Sequence, residues 1–217
     1  MNITYLVLAN NEPQIPSLLN FLTKYIDKQD DIVILHDDNN PLDIALYDGY
    51  RQKDYIKILL HKLEYSYSDH RNYALEFCTG DYIFAIDADE CPNVHLMKNV
   101  KRLIDTHKAD LYWIPRYNVF DGVTDADAAK YGWRITNKNV VNWDTGDYQT
   151  RLFKNSTDIF WKGNLHERLV TWHYHKVIML EKHIDYALIH KKTIQKQLET
   201  NLKYNTKYTV SENAGHV

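Results

Sequence analysis

Short apolar runs alternate with segments of helical periodicity through the first half of this 217-residue chain. The runs Ile3–Ala9, Ile32–Leu35 and Tyr82–Ile86 are bounded by polar or turn-forming residues, a pattern typical of buried strands. Between the first two runs, apolar residues from Ile15 to Ile26 recur at helical spacing, and Pro13 suits the first turn of that helix. This alternation predicts a mainly parallel central sheet with helices on both faces.

The rest of the chain continues the alternation and then becomes rich in predicted strands. Further strands are predicted at Tyr55–Leu60, Leu111–Pro115, Trp133–Thr136, Tyr148–Phe153, Ile159–Lys162, Leu169–His173 and Val177–Leu180. Further helices are predicted at Asp43–Arg51, after Asp69 as a cap, after Pro92, and from Thr193 to about Tyr208. The segment 118–146 has weak periodicity and is predicted to be a long loop with one short strand. We therefore expect an α/β fold whose C-terminal part is β-rich.

Three of the predicted parallel strands end in polar clusters. These clusters are Asn10, Asn11 and Glu12; Asp37 and Asp38; and Asp87 and Asp89. In open α/β sheets, ligands bind in the crevice outside the carboxyl ends of the strands. Because the three clusters converge on one edge of the predicted sheet, we expect the functional site at that edge.

The segment GDYIFAIDADE, from Gly80 to Glu90, carries the densest of these clusters. Asp87, Asp89 and Glu90 place three carboxylates within four residues. Carboxylates this close repel one another unless a cation or a raised pKa resolves the repulsion. Oxygen ligands of this kind suit Mg²⁺ or Mn²⁺, which are held by one or two carboxylates together with substrate phosphates. The alternative is a solvated acidic loop, or a helix N-terminus before Pro92 where acidic side chains complement the helix dipole.

Charge and cysteine content narrow the class of protein. A formal net charge of -3 gives no general attraction to nucleic acid or to an anionic membrane. Cys78 and Cys91 lack the spacing of a zinc site and suit a reducing compartment. The N-terminal apolar run is too short for a transmembrane helix or a signal peptide. We expect a soluble, cytoplasmic protein; the lysines of the last helix allow peripheral membrane association, although a solvated helix face is the preferred interpretation.

Four blocks of sequence follow one another along nearly the whole chain. They are LVLANNEPQIPSLLNFL, then DHRNYALEFCTGDYIFAIDADE, then DYQTRLFKN with IFWKGNLHERL, and finally ALIHKKTIQKQLETNLKY. Together they resemble family 2 glycosyltransferases of the GT-A fold, in particular the short bacterial and phage enzymes with an Asp-x-Asp motif and a late His-Glu motif. The chain departs from the family pattern at His36, at Asn39-Asn40, and between Asn118 and Asp147.

The resemblance implies a metal-dependent transfer of a sugar from a nucleoside-diphosphate sugar to an acceptor hydroxyl, with inversion at the anomeric carbon. A UDP-sugar is the expected donor, because UDP is the commonest nucleotide in such folds. Mn²⁺ or Mg²⁺ would stabilise the charge of the leaving diphosphate as a Lewis acid. The resemblance assigns Asp89 as a direct metal ligand and Asp87 as a ligand of the ribose or, through water, of the metal. It also implies His190 as a further metal ligand, with His166 competing for that role.

Attack by an acceptor hydroxyl at neutral pH needs a general base, usually Asp or Glu in inverting transferases. The resemblance identifies Glu167 as that base. The structural alternative for Glu167 is an ion pair with Arg168 or Lys162 on a surface strand. Asp147 is a second candidate base, and it could instead bind the acceptor.

The candidate nucleotide-binding residues lie mainly at the predicted strand ends. They are Asn10, Asn11, Glu12, Asp37, Arg71, Asp87 and Lys191. Carboxylates accept hydrogen bonds from base N–H groups or ribose hydroxyls. Arg71 can pair with a phosphate in a bidentate manner, and Lys191 can attract the diphosphate. The alternatives are helix capping at Asn11 and Glu12, turn formation at Asp37, and a solvated helix entry at the lysine pair.

The simplest organisation is one domain over residues 1–217, with a nucleotide-sugar-binding half at 1–117 and an acceptor and catalytic half at 118–217. Two other functions compete with sugar transfer: nucleotidyl transfer, and binding of a sugar nucleotide without catalysis. A nucleotidyltransferase would carry a glycine-rich basic loop after the first strand, which ANNEP is not. The expected acceptor is a saccharide, a lipid-linked molecule, a protein or modified DNA, and the mild acidity argues against DNA.

Overall fold

A computed structural model of the chain describes residues 1–208, so the last nine positions of the predicted 1–217 domain lie outside the described residues. The strands are β1 (Ile3–Ala9), β2 (Asp31–Asp37), β3 (Ile56–His61), β4 (Tyr82–Asp87), β5 (Glu90–Pro92), β6 (Leu111–Asp121), β7 (Ile135–Asn137), β8 (Val140–Val141), β9 (Tyr148–Lys154), β10 (Ile159–Lys162), β11 (Arg168–Thr171), β12 (Val177–Met179) and β13 (Leu188–Thr193). The helices are α1 (Ile15–Tyr25), α2 (Tyr67–Leu75), α3 (Val94–His107), α4 (Asp125–Tyr131) and α5 (Ile194–Lys207).

The central sheet begins with four parallel strands in the order β3-β2-β1-β4 and continues through β9, β6, β13 and β5. Val7 of β1 lies beside Ile34 of β2 and Ile86 of β4, so the three strands end at one edge. Beyond β4, strand β9 is antiparallel to both of its neighbours, β4 and β6, and β13 runs parallel to β6. The mainly parallel central sheet predicted from the alternation is confirmed.

Both faces of the parallel strands are covered by helices because successive side chains point to opposite faces. Tyr5 and Val7 belong to the core that contains the buried residues of α1 and α3. Leu6 belongs to a second core with Ala74 of α2. All four of these side chains are at most 1% exposed, which explains why the strands are apolar on both faces.

Two helix starts differ from the prediction by a few residues. Helix α2 is capped by Ser66, whose Oγ accepts the Asp69 N–H at 3.1 Å, so Asp69 lies in the first turn rather than at the cap. Helix α1 carries Pro16 in its first turn, and Pro13 precedes the helix. In both cases a second helix-start residue lies close by, and sequence alone does not rank the two signals.

The segment 118–146 was predicted to be a loop, and this prediction is wrong for most of its length. Strand β6 extends to Asp121 because β13 pairs with it from Arg116 onward. Helix α4 follows, with a capping box in which Thr124 and Asp127 satisfy each other's backbone N–H groups. Strands β7 and β8 then form an antiparallel pair, and β7 begins two residues later than the strand predicted at Trp133.

Other predictions meet mixed outcomes. The helix predicted at Asp43–Arg51 is only a short 3-10 turn, Ile44–Tyr47, fixed by the fully buried ring of Tyr47. The strands predicted between residues 148 and 180 are present with ends shifted by at most two residues, and Thr193 caps α5. The proposed division at 117/118 falls inside β6.

Cys78 and Cys91 are free thiols. Within residues 1–208, no helix has the length and apolar character needed to cross a bilayer.

Candidate active site

The carboxyl ends of the parallel strands open onto a cavity of about 1200 Å³. A cavity of this size is large enough for a nucleotide-sized ligand. Eight of the predicted site residues line it: Asn10, Glu12, Asp37, Arg71, Asp87, Asp89, Glu167 and His190. Three others do not, namely Asn11, Asp147 and Lys191.

Asn11 and Lys191 have contacts outside the cavity. Asn11 has a left-handed φ of 53°, and its amide bridges two loops by donating to the Pro41 carbonyl at 2.8 Å and accepting the Asp43 N–H at 2.9 Å. Lys191 is 67% exposed, with Nζ 3.5 Å from Asp121. Because side chains alternate along β13, its neighbour Lys192 faces the cavity instead. The structure therefore does not bring Lys191 to the predicted nucleotide site.

Asp89 lies beside His190 and Lys192 at the cavity wall. The antiparallel pairing of β13 with β5 places His190 opposite Glu90, next to the acidic segment. Asp89 Oδ2 is 3.5 Å from His190 Nε2 and 3.0 Å from Lys192 Nζ. Burial alone would raise the pKa of Asp89, but His190 and Lys192 outweigh it and hold that pKa well below its usual range. Asp89 is therefore a carboxylate throughout the neutral range.

Asp87 is held by two arginines. Its Oδ1 accepts from Arg71 Nη2 at 3.0 Å, and its Oδ2 contacts Arg151 Nη2. Burial opposes ionisation, but Arg151 and Arg71 lower the pKa of Asp87 well below its usual range. Within residues 1–208, no three His, Cys, Asp or Glu side chains are grouped as a metal site. Asp87, expected as a metal ligand, is thus engaged in ion pairs rather than grouped with Asp89 and His190.

Glu167 lies in the loop between β10 and β11 and reaches the same cavity through Arg71. Arg71 Nε donates to Glu167 Oε1, so one guanidinium joins Glu167 to Asp87. The guanidinium carbon lies 4.8 Å from the Trp161 ring centroid, and the buried Nη1 has no hydrogen-bond partner among the described residues. His166, the competing metal ligand, lies with its ring 6.0 Å from that of Tyr204. The ion-pair partner of Glu167 is therefore Arg71, which is neither of the two predicted partners, Arg168 and Lys162.

The ion pairs continue through three residues that were not predicted as site residues: Glu90, Arg116 and Arg151. Glu90 has no exposed side-chain area and contacts Arg151 at 3.1 Å and Arg116 at 3.4 Å. Arg116 in turn binds Asp147 Oδ2 through Nη2 at 2.8 Å. Charged residues are almost never fully buried without partners. The available signals were Arg151 inside the predicted strand Tyr148–Phe153 and Arg116 directly after the predicted strand Leu111–Pro115.

Asp147 is surrounded by donors behind the cavity wall. Its Oδ2 accepts from Arg116 and from Asn118 Nδ2 at 2.8 Å, and its Oδ1 accepts from Gln149 Nε2 at 2.8 Å. Burial would raise the pKa of Asp147, but Arg116 and these hydrogen bonds lower it overall. A carboxylate with both oxygens engaged and a lowered pKa is poorly suited to accept a proton.

The other end of the cavity is formed by the turns after β1 and β2. Asp37 Oδ1 accepts the Leu63 N–H at 3.0 Å and the Asn39 side-chain amide at 2.8 Å, which fixes the carboxylate at the cavity edge. Burial and His61 lower the pKa of the neighbouring His70 to about 4, so its ring is neutral at pH 7. Burial raises the pKa of Glu12, although the Asn10 N–H hydrogen bond opposes this.

Comparison with known proteins places this site in a wider context. The model of glycosyl transferase family 2 matches residues 5–164. No curated protein sequence matches the chain. Crystal structures of TarS from S. aureus are similar: one has 17% identity and a TM-score of 0.61, covering 98% of this chain and 41% of TarS. TarS 1-349 in complex with UDP-GlcNAc has 18% identity and a TM-score of 0.56, covering 83% of this chain and 59% of that one.

TarS 1-349 in complex with UDP has 17% identity and a TM-score of 0.59, covering 95% of this chain and 65% of that one. The chain spans less than two thirds of the length of each of these TarS structures. At such identities the similarity shows a shared fold, and it confirms the GT-A-like α/β architecture expected from the resemblance. The family model covers well over half of the chain. The chain therefore belongs to glycosyl transferase family 2.

Proposed function

We propose that this protein transfers a sugar from a nucleoside-diphosphate sugar, with a UDP-sugar as the preferred donor, to an acceptor hydroxyl with inversion at the anomeric carbon. The observation that carries the proposal is the meeting of Asp89, His190 and Glu167, from three separate parts of the chain, at the walls of one cavity. Family membership favours this function over nucleotidyl transfer. The presence of a carboxylate suited to act as a base favours catalysis over simple binding.

The donor is proposed to bind across the ends of β1, β2 and β4. Asp37 would accept a hydrogen bond from the base or ribose, and Arg71 in the cavity lining would donate to the nucleotide. Lys192 rather than Lys191 is positioned to attract the diphosphate. The structural similarity to TarS bound to UDP and UDP-GlcNAc supports a uridine nucleotide as donor.

The residues present fit a divalent cation that is shared with the diphosphate. Asp89 Oδ2 and His190 Nε2 are 3.5 Å apart, and a hard cation commonly uses only one or two protein ligands when substrate phosphates complete its shell. Asp89 and His190 would hold Mn²⁺ or Mg²⁺, which would stabilise negative charge on the leaving diphosphate. Both oxygens of Asp87 are already in ion pairs with arginines. We therefore propose that Asp87 orients Arg71 and contacts the ribose rather than binding the metal directly.

Glu167 is proposed as the general base, and Asp147 as a structural residue. Glu167 lines the cavity and keeps its Oε2 outside the Arg71 contact, whereas Asp147 lies behind the wall with both oxygens engaged. Arg71 orients the Glu167 carboxylate so that it can take a proton from the attacking hydroxyl. Inversion follows if that hydroxyl attacks the face of the sugar opposite to the leaving diphosphate.

The acceptor is proposed to enter along the wall formed by Trp113, Tyr148 and Val177. Trp113 is 41% exposed, and the wall is apolar beside the charged donor side of the cavity. Of the predicted acceptors, a saccharide suits this wall best, because the apolar face of a sugar ring packs against aromatic side chains. Lys192 of β13 and Lys196 and Lys203 of α5 line the cavity, so these lysines are proposed to face the ligand rather than a membrane surface.

A nucleotide-sugar panel scored by thermal shift, with Mn²⁺ or with EDTA, tests the proposal. Because only the native state binds the donor, a UDP-sugar at about 100 times its Kd adds about 2.7 kcal/mol to the free energy of unfolding. Asp89→Asn is expected to abolish the Mn²⁺-dependent part of the shift. Asp38→Asn is the matched control, since Asp38 follows β2 at the same edge of the sheet but does not line the cavity. An unchanged shift in Asp89→Asn would contradict the site, and a retained anomeric configuration in the product would contradict inversion.

A further inference from the structure

His190 has a second contact that was not predicted. Its Nδ1 lies 2.7 Å from Asn118 Oδ1. The two residues are opposite each other in the parallel pairing of β13 and β6, and each is 5% exposed. A buried imidazole hydrogen-bonded on one nitrogen has its tautomer set by that bond.

The Asn118 amide cannot turn around freely, because Asp147 fixes it. Asn118 Nδ2 donates to Asp147 Oδ2 at 2.8 Å. An ionised carboxylate only accepts hydrogen bonds, so the amide nitrogen must face Asp147 and the amide oxygen must face His190. Arg116 and Gln149 hold Asp147 in turn, which keeps this direction fixed.

The direction of the amide decides which nitrogen of His190 carries the proton. An amide oxygen accepts, so Nδ1 must donate in either protonation state of the ring. The imidazolium also donates from Nε2 to Asp89, whereas the neutral ring, the form that binds a metal, has its lone pair on Nε2. That lone pair points to the side of Asp89 Oδ2, 3.5 Å away. A lone pair and a carboxylate at this distance repel each other, and Lys192 Nζ, 3.0 Å from the same oxygen, supplies positive charge on the Asp89 side. A divalent cation between them would be bound by the Nε2 lone pair and the carboxylate together.

We propose that Asn118 and Asp147 are positioning residues that hold His190 as its Nδ1–H tautomer and direct the Nε2 lone pair toward a divalent cation shared with Asp89. The inference rests on the proposed function for the identity of the cation, and on geometry alone for the tautomer. Residues that fix the tautomer of a metal-binding histidine change metal affinity without touching the metal. This role replaces the prediction of Asp147 as a second base.

The tautomer is measured directly in the metal-free protein. Long-range ¹H–¹⁵N correlation spectra of ¹⁵N-histidine-labelled protein at pH 8 report which ring nitrogen of His190 is protonated, and His190→Gln assigns the signal. The ¹⁵N shifts in the same spectra show whether the ring is neutral, and the pH is raised until it is. Protonation of the neutral ring at Nδ1 is expected. A neutral ring protonated at Nε2 in the wild-type protein would overturn the proposal, whatever the protein catalyses.

Metal affinity is measured by Mn²⁺ electron paramagnetic resonance in the presence of UDP. Asn118→Leu removes the acceptor at similar volume and is expected to weaken Mn²⁺ binding about 10- to 100-fold. The double variant Asn118→Asp/Asp147→Asn keeps the net charge and an acceptor for Nδ1–H at position 118, although it reverses the hydrogen bond between positions 118 and 147, so it is expected to keep the Nδ1–H tautomer. Asn155→Leu is the matched control, because Asn155 binds the Cys78 and Gly80 carbonyls away from the cavity.

The outcomes separate the two proposals. If His190→Gln binds Mn²⁺ and UDP as the wild type does, the metal site of the proposed function is wrong, and the tautomer is still decided by the spectra. If His190→Gln loses affinity but a folded Asn118→Leu does not, the positioning role is overturned while the metal site stands. If Asn118→Leu does not fold, the double variant decides: loss of the Nδ1–H tautomer there overturns the inference.

Discussion

In the parallel region of the sheet, strands β1, β2 and β4 bury apolar side chains on both faces. In the ionic region, formed by β5, β6, β9 and β13, the buried positions include Glu90, Asn118, Arg151 and His190. The parallel region is held by packing, which is non-directional and tolerant of which apolar residue is used. The ionic region is held by charges that each need a specific partner at a specific distance.

This difference shows how the two regions divide the work of a transferase site. The parallel region supplies a rigid edge on which Asp37 and Asp87 are placed. The ionic region links Glu167, through Arg71, Asp87, Arg151, Glu90 and Arg116, to Asp147, and from there through Asn118 to His190. The proposed base and the proposed metal ligands are therefore the two ends of one continuous polar network, and variants in each region are expected to fail differently.

The largest effect is expected at Glu167, the proposed base at one end of the ionic network. Glu167→Gln keeps the shape of the side chain and removes the base, so we expect kcat for transfer to fall about 10²- to 10⁴-fold. The KM for the donor and the melting temperature should change little, because the amide oxygen still accepts from Arg71. Steady-state kinetics with a UDP-sugar measure this, and Asp147→Asn is the comparison. If Asp147→Asn lowers kcat more than Glu167→Gln at equal donor and metal affinity, the two carboxylates have been assigned the wrong roles.

A loss of folding stability comes next and sharpens the contrast between the regions. Arg151→Met leaves the buried Glu90 and the half-buried Asp87 without one partner each, so we expect the free energy of unfolding to fall by about 3–5 kcal/mol. Arg134→Met is the matched control, since Arg134 is 68% exposed and pairs with the exposed Asp144 at 3.3 Å. That exposed pair should contribute at most about 1 kcal/mol. Urea unfolding measures both changes, and equal losses in the two variants would show that the buried network contributes no more than a surface pair.

The same division explains what sequence reasoning could reach. The elements of the parallel region follow from local patterns: an apolar run, a polar turn, a helix cap. The placement of Asp37, Asp87 and Asp89 at the site can be predicted from these strands, because parallel strands end at a common edge. The ends of α1 and α2 were shifted only because two start signals lay within a few residues of each other.

The ionic region depends on contacts that no local window contains. Strand β6 continues past Pro115 only because β13 pairs with it, and β13 was not predicted as a strand. Asp87 pairs with Arg71, which precedes it in the sequence, and with Arg151, which follows it. Neither sequence separation is one from which an ion pair can be predicted. Lys191 was chosen over Lys192 because sequence alone did not give the strand register that sends one of them to the cavity.

A pH effect tests the junction between the two regions at His70. Burial and His61 lower the pKa of His70 to about 4, and Asp37, Arg71 and His36 also lie near the ring. Because the pKa is lower in the folded state than the ordinary value near 6.5, the unfolded state binds the proton first as the pH falls. Stability should therefore decrease by up to about 3 kcal/mol between pH 6.5 and pH 4.

His70→Gln should remove this part of the pH dependence, whereas His95→Gln, at an exposed position on α3, should keep it. Urea unfolding at several pH values between 4 and 7 gives the two slopes. Equal slopes in the wild type and in His70→Gln would show that the buried imidazole is not the group that takes up the proton.

The smallest effect concerns the local signals that govern the parallel region. Ser66→Ala removes the acceptor of the Asp69 N–H at the start of α2, and we expect a loss of about 1 kcal/mol in the free energy of unfolding. Ser17→Ala, at an exposed position within α1, should be neutral or slightly stabilising because alanine has the higher helix propensity. Although α2 carries Arg71, kcat should stay unchanged in Ser66→Ala as long as the protein is folded. A fall in kcat with unchanged stability would mean that the cap positions Arg71 and not only the helix, which would join the parallel region to the ionic network more tightly than packing alone requires.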